Sequence, residues 1–225
     1  MCFSPEADLV AGVVVGAVGL DALRHVRHRR EALLAGLPLL FAVHQFIEAI
    51  VWWDLQHSVS HQVGRPALWS YLVIAFALPL LVPLAVRAIE PVRRRRELMA
   101  WCCGLGAGVT VLLLVEVVRG PLAAHADSFH VSYDIGRGAG AEIVVLYVLA
   151  TCGALLVSSF RLIAWFGVLN LVAVAALAVV ASNGLPSLWC FWAAVTSTVI
   201  AVHLRLADDR SKGRVTPGTL PVPPA

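Results

Sequence analysis

The chain has 225 residues, 60% of them hydrophobic and 14% charged, with a net charge of +3. Soluble domains run nearer half apolar and about a quarter charged, so an excess this large in a chain this small points to a bilayer as solvent. Long runs of Leu, Ala and Val exclude a β-barrel, which needs short alternating strands, and the weak net charge gives no case for a nucleic-acid partner.

The sequence predicts an all-α fold, a polytopic transmembrane bundle of seven helices. Each apolar run is measured against the roughly 17–25 residues that cross the hydrocarbon. Met1 to Asp8 carry acids and no basic segment, so the first run reads as a retained helix and not a cleaved signal peptide. That run, Leu9–Leu23, is short. The others are Leu33–Trp53, Leu68–Val86 with Pro79 and Pro83 inside it, Met99–Val118, Ile143–Ser158, Leu162–Ala181 and Ser187–Leu206. Residues 1–207 form the transmembrane domain, and 208–225 read as a disordered cytoplasmic tail that becomes rich in Pro and Gly.

Arginines set the sidedness. Arg24, Arg27, Arg29 and Arg30 follow the first run, Arg87 and Arg93 to Arg96 the third, Arg161 the fifth, and Arg205, Arg210, Lys212 and Arg214 the seventh. The alternate loops hold only Arg65, Arg119 and Arg137. Seven spans put every cluster on one side, which gives an outside N-terminus and a cytoplasmic C-terminus.

The second run carries the most informative polar groups, His44-Gln45-x-x-Glu48-x-x-x-Trp52. His44, Glu48 and Trp52 are four apart and share a helical face, with Gln45 beside it. An ionised carboxylate is costly inside the span, and such groups face a bundle interior or a cavity and mark function. A neutral Glu48 suits a general acid; the bland alternative is a carboxyl that locks helices together. Glu116 near the end of the fourth run is either a second acid or an i,i+3 partner of Arg119, and Glu142 reads as a helix-dipole acid.

The loop His125-Ala-Asp127-Ser-Phe-His130-Val-Ser132-Tyr133-Asp134 is polar enough to fold back as a lid, with His130, Tyr133 and Asp134 as candidate site residues. Trp52, Trp53, Trp69, Tyr71, Trp189, Phe191 and Trp192 form either an interfacial belt or, where they point inward, a π-rich pocket. Cys102, Cys103 and Cys152 read as small apolar residues. Cys2 and Cys190 both fall at the outer surface, an oxidising side, and are the disulfide candidate.

The opening Met1-Cys2-Phe3-Ser4, the stretch Pro38-Leu-Leu-Phe41…Gln45-x-x-Glu48-x-x-x-Trp52, the run Leu146-Tyr147-Val-Leu-Ala-Thr151 and Trp189-Cys190-Phe191 resemble a bacterial family of seven-helix membrane proteins that opens with MCFS or MCWS and has no known function. That resemblance implies a multi-pass protein of the bacterial cell membrane. The family's loop often reads Gly-His-His before the Tyr; here Ser128-Phe129-His130-Val131-Ser132 stands there, so one histidine is missing. The layout is also similar to small membrane-bound terpene cyclases that make indole sesquiterpenoids and meroterpenoids and use intramembrane carboxylates.

Three functions fit. The first is proton-initiated cyclisation of a prenylated, lipophilic substrate, without a cofactor. Its catalytic candidates are Glu48, His44, Glu116 and Asp134, and Gln45, Trp52, His130, Tyr133 and Trp189 would line the substrate. The second is a zinc-dependent lipid hydrolase built from His57, His61, His125 and His130, which needs three ligands and a water. The third is a non-enzymatic protein that binds a lipid or small molecule. Membrane lipids are partners in all three.

Overall fold

A computed structural model describes residues 4–57, 61–126, 131–135, 140–180, 189, 192–194 and 196–213, with backbone alone at His61, Gln62, Asp134, Ile135, Val180 and 209–213. Among the described residues there are seven α-helices: α1 Pro5–Arg24, α2 Ala32–His57, α3 His61–Ile89, α4 Arg93–Arg119, α5 Ala141–Val157, α6 Arg161–Val180 and α7 Thr198–Gly213. A 3-10 turn, Arg29–Glu31, leads into α2. An antiparallel hairpin, β1 Leu122–Ala126 and β2 Val131–Ile135, joins α4 to α5 with Ala124 opposite Tyr133. Trp189, Trp192 to Ala194 and Thr196 are also helical, ahead of α7.

α1 begins a turn before the apolar run because Ser4 caps it, accepting from the Ala7 N–H at 3.3 Å, with Pro5 in the first turn. Its buried residues are Pro5, Asp8, Gly12, Val15, Gly19 and Ala22, a strict three-four spacing that makes one stripe. The glycines in that stripe let α2 come close. A Cβ on Gly12 would stand 2.8 Å from the Phe46 ring, and one on Gly19 2.8 Å from the Leu39 backbone nitrogen.

α3 tolerates Pro79 and Pro83 because its neighbours use what they free. A proline cannot donate to the carbonyl four residues before it. Pro79 therefore releases the Ala75 carbonyl, and the Tyr147 hydroxyl of α5 donates to it at 2.8 Å. Pro83 likewise releases the Pro79 carbonyl, and α4 lays Gly106 directly on it. A Cβ on Gly106 would lie 1.8 Å from that oxygen, so the glycine allows the close backbone approach that Cα–H···O contacts need. Gly106→Ala is expected to cost about 1–3 kcal/mol by overpacking, because the obstacle is backbone and cannot swing aside. The check is thermal unfolding of the purified variant, and an unchanged midpoint would contradict the close crossing.

Packing follows chain order. α1 lies on α2, α2 on α3, α3 on α4 and α5, α4 on α5 and α5 on α6, while α7 closes back on α1, α2 and α6. α2 is the most enclosed: 61% of its most apolar stretch is buried, against 28% for α4 and α6. The peripheral helices turn large apolar side chains outward, among them Trp101 at 81% and Val179 at 87% exposed. Four helical segments, Arg29–His57, Val63–Ile89, Arg93–Arg119 and Arg161–Val179, are long and apolar enough to cross a membrane. An outward apolar surface over helices of that length is the character of a membrane protein. α5 has the apolarity but only 17 residues.

The arginine-bearing ends meet. Arg27 pairs with Asp208 and Arg205 with Asp21 at 2.6 Å, which tie α7 to the α1 end. Arg95 donates to the carbonyls of Val157 and Ser158 at 3.1 and 2.8 Å, where α5 stops.

Three local expectations need correction. The segment read as a polar lid loop is a β-hairpin, since Val131, Tyr133 and Ile135 alternate with Ser132 and Asp134 and have strand propensity. His57 and His61, read as loop residues, end α2 and begin α3. Residues 208–213, assigned to the tail, are the last turns of α7, held by the pairing of buried Asp208 with Arg27.

Candidate functional site

At 100° per residue, His44, Glu48, Trp52 and Gln45 fall within one arc of α2 of about 100°, with Gln45 on the edge toward α1. The structure buries all four: Gln45 and Glu48 are 0% exposed, His44 1% and Trp52 3%. α2 is long and enclosed enough to carry them into the bundle, and α1, α3 and the hairpin close over them.

α3 contributes Tyr71, which is fully buried. Its ring lies 4.0 Å from the His44 ring and stacks on Tyr133 of β2 at 4.5 Å with 17° between planes. The Tyr133 hydroxyl donates to Glu48 Oε1 at 3.4 Å, a long bond that places the hairpin directly over the acid. Val131 and Tyr133 pack with Trp52, Val51 and Ala67, so the hairpin is seated by apolar contact as well.

His44 Nε2 lies 3.2 Å from the Tyr71 carbonyl. A carbonyl only accepts, so Nε2 carries the proton and Nδ1 of the neutral ring is an acceptor. That Nδ1 has no hydrogen-bond partner among the described residues, nor do Gln45 Oε1 and Nε2 or Trp52 Nε1.

α1 brings the residue that the sequence reading missed. Asp8 is 0% exposed, both its carboxyl oxygens lack a hydrogen-bond partner among the described residues, and it feels the charges of Glu48 and of the chain's N-terminus. The two buried carboxyls therefore act on one another electrostatically from neighbouring helices. A signal for it existed: Asp8 lies four residues before Gly12 on the buried stripe of α1, so the spacing turns it inward with the glycines. Such a pair, in apolar surroundings, resists double ionisation.

The other candidates fall elsewhere. Trp189 sits beside Tyr147, ring centroids 5.1 Å apart, and not beside Glu48. Those two rings line an apolar cavity with Phe41, Leu78, Cys152 and Phe166, one to two turns of α2 further from the hairpin than His44. Its volume is about 40 Å³, against roughly 10–15 Å³ for one water on the same measure, so it takes a short branched group and not a folded terpenoid. Glu116 is half-buried on α4 and pairs with no described residue, Arg119 included. Asp134 is placed by its backbone in β2, opposite Ala123. His130, Cys2 and Cys190 lie outside the described residues. Cys102, Cys103 and Cys152 are free thiols. Among the described residues no three His, Cys, Asp or Glu side chains gather as metal ligands.

Fold and site together define a helical bundle of membrane-protein character with a buried acid pair under a β-hairpin. The chain belongs to DUF6629, a family of unknown function, whose model matches residues 1–214. No curated protein and no solved structure matches it.

Proposed function

We propose that this is a multi-pass protein of the bacterial cell membrane that uses Glu48 as an acid to start cyclisation of a prenylated, lipophilic substrate. The observation that carries the reading is buried Glu48, which accepts from Tyr133 beside the stacked Tyr71 ring, shares its face of α2 with His44 and Trp52, and acts electrostatically on buried Asp8. The arginine clusters gathered at one end favour seven spans, with that end in the cytoplasm and the hairpin outside.

The chemistry follows from the groups present. Two buried carboxyls that act on one another in an apolar site favour holding a proton between them. Tyr133 donates to Glu48 Oε1, which leaves the acidic proton to Oε2. Transfer of that proton to the less substituted carbon of an alkene leaves a tertiary cation on the substrate and a carboxylate on Glu48. The electron-rich faces of Tyr71, Tyr133 and Trp52 stabilise the cation. A second double bond attacks it and closes the ring, and loss of a proton to a carboxylate of the pair restores the acid. The reaction is an isomerisation and consumes nothing. The cavity beside Phe41 and Tyr147 accepts one branched end of the chain, and the rest lies along the helices in the hydrocarbon.

The test supplies farnesyl- and geranylgeranyl-substituted phenols to the full chain in lipid nanodiscs prepared in D₂O. The expected product has the substrate's formula with one deuterium on carbon. Absence of any isomeric product, or a product without label, would remove the reading. Saturable binding without turnover would favour a non-enzymatic binding protein. No described observation favours the zinc hydrolase.

A further inference from the structure

After Arg161, α6 is apolar throughout except at Asn170. An amide in the middle of such a helix is costly in hydrocarbon and is kept where it has a partner, across a helix contact or in a cavity. Asn170 is 4% exposed and lies in the wall of the cavity enclosed by α2, α3, α5 and α6. Its Nδ2 donates to the Phe166 carbonyl at 2.8 Å. A carbonyl only accepts, so the amide stands with its nitrogen toward its own helix. That bond stays within α6 and joins no neighbour to it. No other described residue bonds to the amide, which leaves one N–H and the Oδ1 acceptor for whatever occupies the cavity.

The rest of the wall is apolar or already engaged. Phe41, Leu78, Val82, Leu155 and Phe166 supply hydrocarbon. Tyr147 and Thr151 also line the cavity, but their hydroxyls donate to backbone, to the Ala75 carbonyl at 2.8 Å and to the Tyr147 carbonyl at 2.9 Å. Cys152 is a buried free thiol and behaves as a small hydrophobe. Trp189 completes the wall, and its Nε1–H has no hydrogen-bond partner among the described residues. These proportions select the occupant. The cavity, about 40 Å³, has room for about three waters, and each water needs two to four polar partners, more than one amide and one indole provide. A hydrocarbon fills the space and leaves the amide unmet. An ether or ketone only accepts and leaves Oδ1 unmet, and an ammonium finds no carboxylate in this wall. A hydroxyl has one donor and two acceptor lone pairs, the complement of Asn170 Oδ1 on one side and the N–H groups of Asn170 and Trp189 on the other.

We infer that this cavity binds a compact, branched alkyl group that carries one hydroxyl, and that Asn170 is the residue that recognises the hydroxyl. The alkyl part fills the space between Phe41, Leu78 and Phe166, and the alcohol pairs with the amide. The inference does not rest on the cyclisation reading, because it is drawn from the cavity wall and occupancy needs no turnover.

The test irradiates the full chain in phosphatidylcholine nanodiscs with one of two photolabels, hydroxyethyl methyl diazirine or its isostere methyl propyl diazirine, which has a methyl in place of the hydroxyl. Labelled residues are located by mass mapping. Labelling of the wall at Phe41, Cys152 and Phe166 is divided by labelling of Trp101, which faces outward at 81% exposure. The ratio removes the different partition of the two probes into lipid. The alcohol is expected to give a ratio at least about fivefold above that of the hydrocarbon, the worth of one or two neutral hydrogen bonds. Asn170→Leu, close in size and apolar, is expected to bring the two ratios to within about twofold of each other. Equal ratios in the unaltered chain, no label on the wall, or a preference that survives Asn170→Leu would each overturn the proposal. The comparison in the unaltered chain decides even if the variant does not fold. Hydroxyl-selective labelling without cyclised product would count against the cyclisation reading alone, and cyclised product without hydroxyl preference would overturn this inference alone.

Discussion

Glu48→Gln is expected to abolish isomeric product from a prenylated substrate while the protein still assembles. The amide has the same shape, can still accept from Tyr133, and keeps the packing against Trp52 and Tyr71. It cannot release a proton to an alkene. A positioned acid contributes about 10²–10⁴-fold, and His44 is no substitute, because it spends its N–H on the Tyr71 carbonyl. Turnover should therefore fall at least about a hundredfold, with the unfolding midpoint held or raised, since a buried ionisable group is replaced by a neutral one. Asp8→Asn should do less, near tenfold, because it removes the partner and leaves the donor. Glu142→Gln, at the exposed start of α5, is the control for a general loss of charge. Product from Glu48→Gln at more than a tenth of the normal rate would show that the proton comes from another group. Loss of product through loss of fold would show instead as a fall in the unfolding midpoint.

The pattern of that prediction reflects what a linear reading could reach. Glu48 and His44 were legible because an acid and an imidazole inside an apolar run are expensive and need a reason. Their burial, and the arc shared with Trp52 and Gln45, follow from helical spacing alone. Asp8 was not singled out because it stands with Glu6 at a helix start, where an acid has the ordinary explanation of the N-terminal dipole. Only the packed register of α1 on α2, set by Gly12 against Phe46 and Gly19 against Leu39, turns it from a cap residue into half of a pair. Tyr71 was lost among the belt aromatics for the same reason: its role depends on which face of α3 turns inward. The hairpin was hidden by its polar residues, since Ser132 and Asp134 interrupt a strand pattern that is only five residues long. Glu116 shows the converse. Near the end of the fourth run it reads as either a second acid or a partner of Arg119, but α4 is a peripheral helix, and among the described residues Glu116 meets no partner.

At the arginine-bearing end, two interhelical links are fastened to one another. The link from α3 to α4 is Glu90-Pro91-Val92, and the link from α5 to α6 is Ser158-Ser159-Phe160. Glu90 is 2% exposed and accepts three bonds: from the Val92 N–H at 3.0 Å, the Ser159 N–H at 2.9 Å and the Ser159 hydroxyl at 2.7 Å. Arg95 reaches across in the same region, from α4 to the last carbonyls of α5, where a cation also suits the helix dipole. The two links are thus joined by one carboxylate and one guanidinium that each satisfy backbone groups with no helical partner. Glu90→Ala removes the acceptor and strands two backbone N–H groups and a hydroxyl. Bonds to a charged group are worth about 1.5–3 kcal/mol each, but Ser159 is exposed and water recovers part of its loss, so a total near 3–5 kcal/mol is expected. That corresponds to a fall of roughly 6–20 °C in the unfolding midpoint for a chain of this size. Ser159→Ala should cost only about 1 kcal/mol, because the hydroxyl goes and the N–H bond stays. A fall below about 2 °C in Glu90→Ala would mean that the arginine-bearing end is held by apolar packing alone. A full fall with normal cyclisation at the opposite end would show that the staple stabilises the bundle without shaping the acid pair.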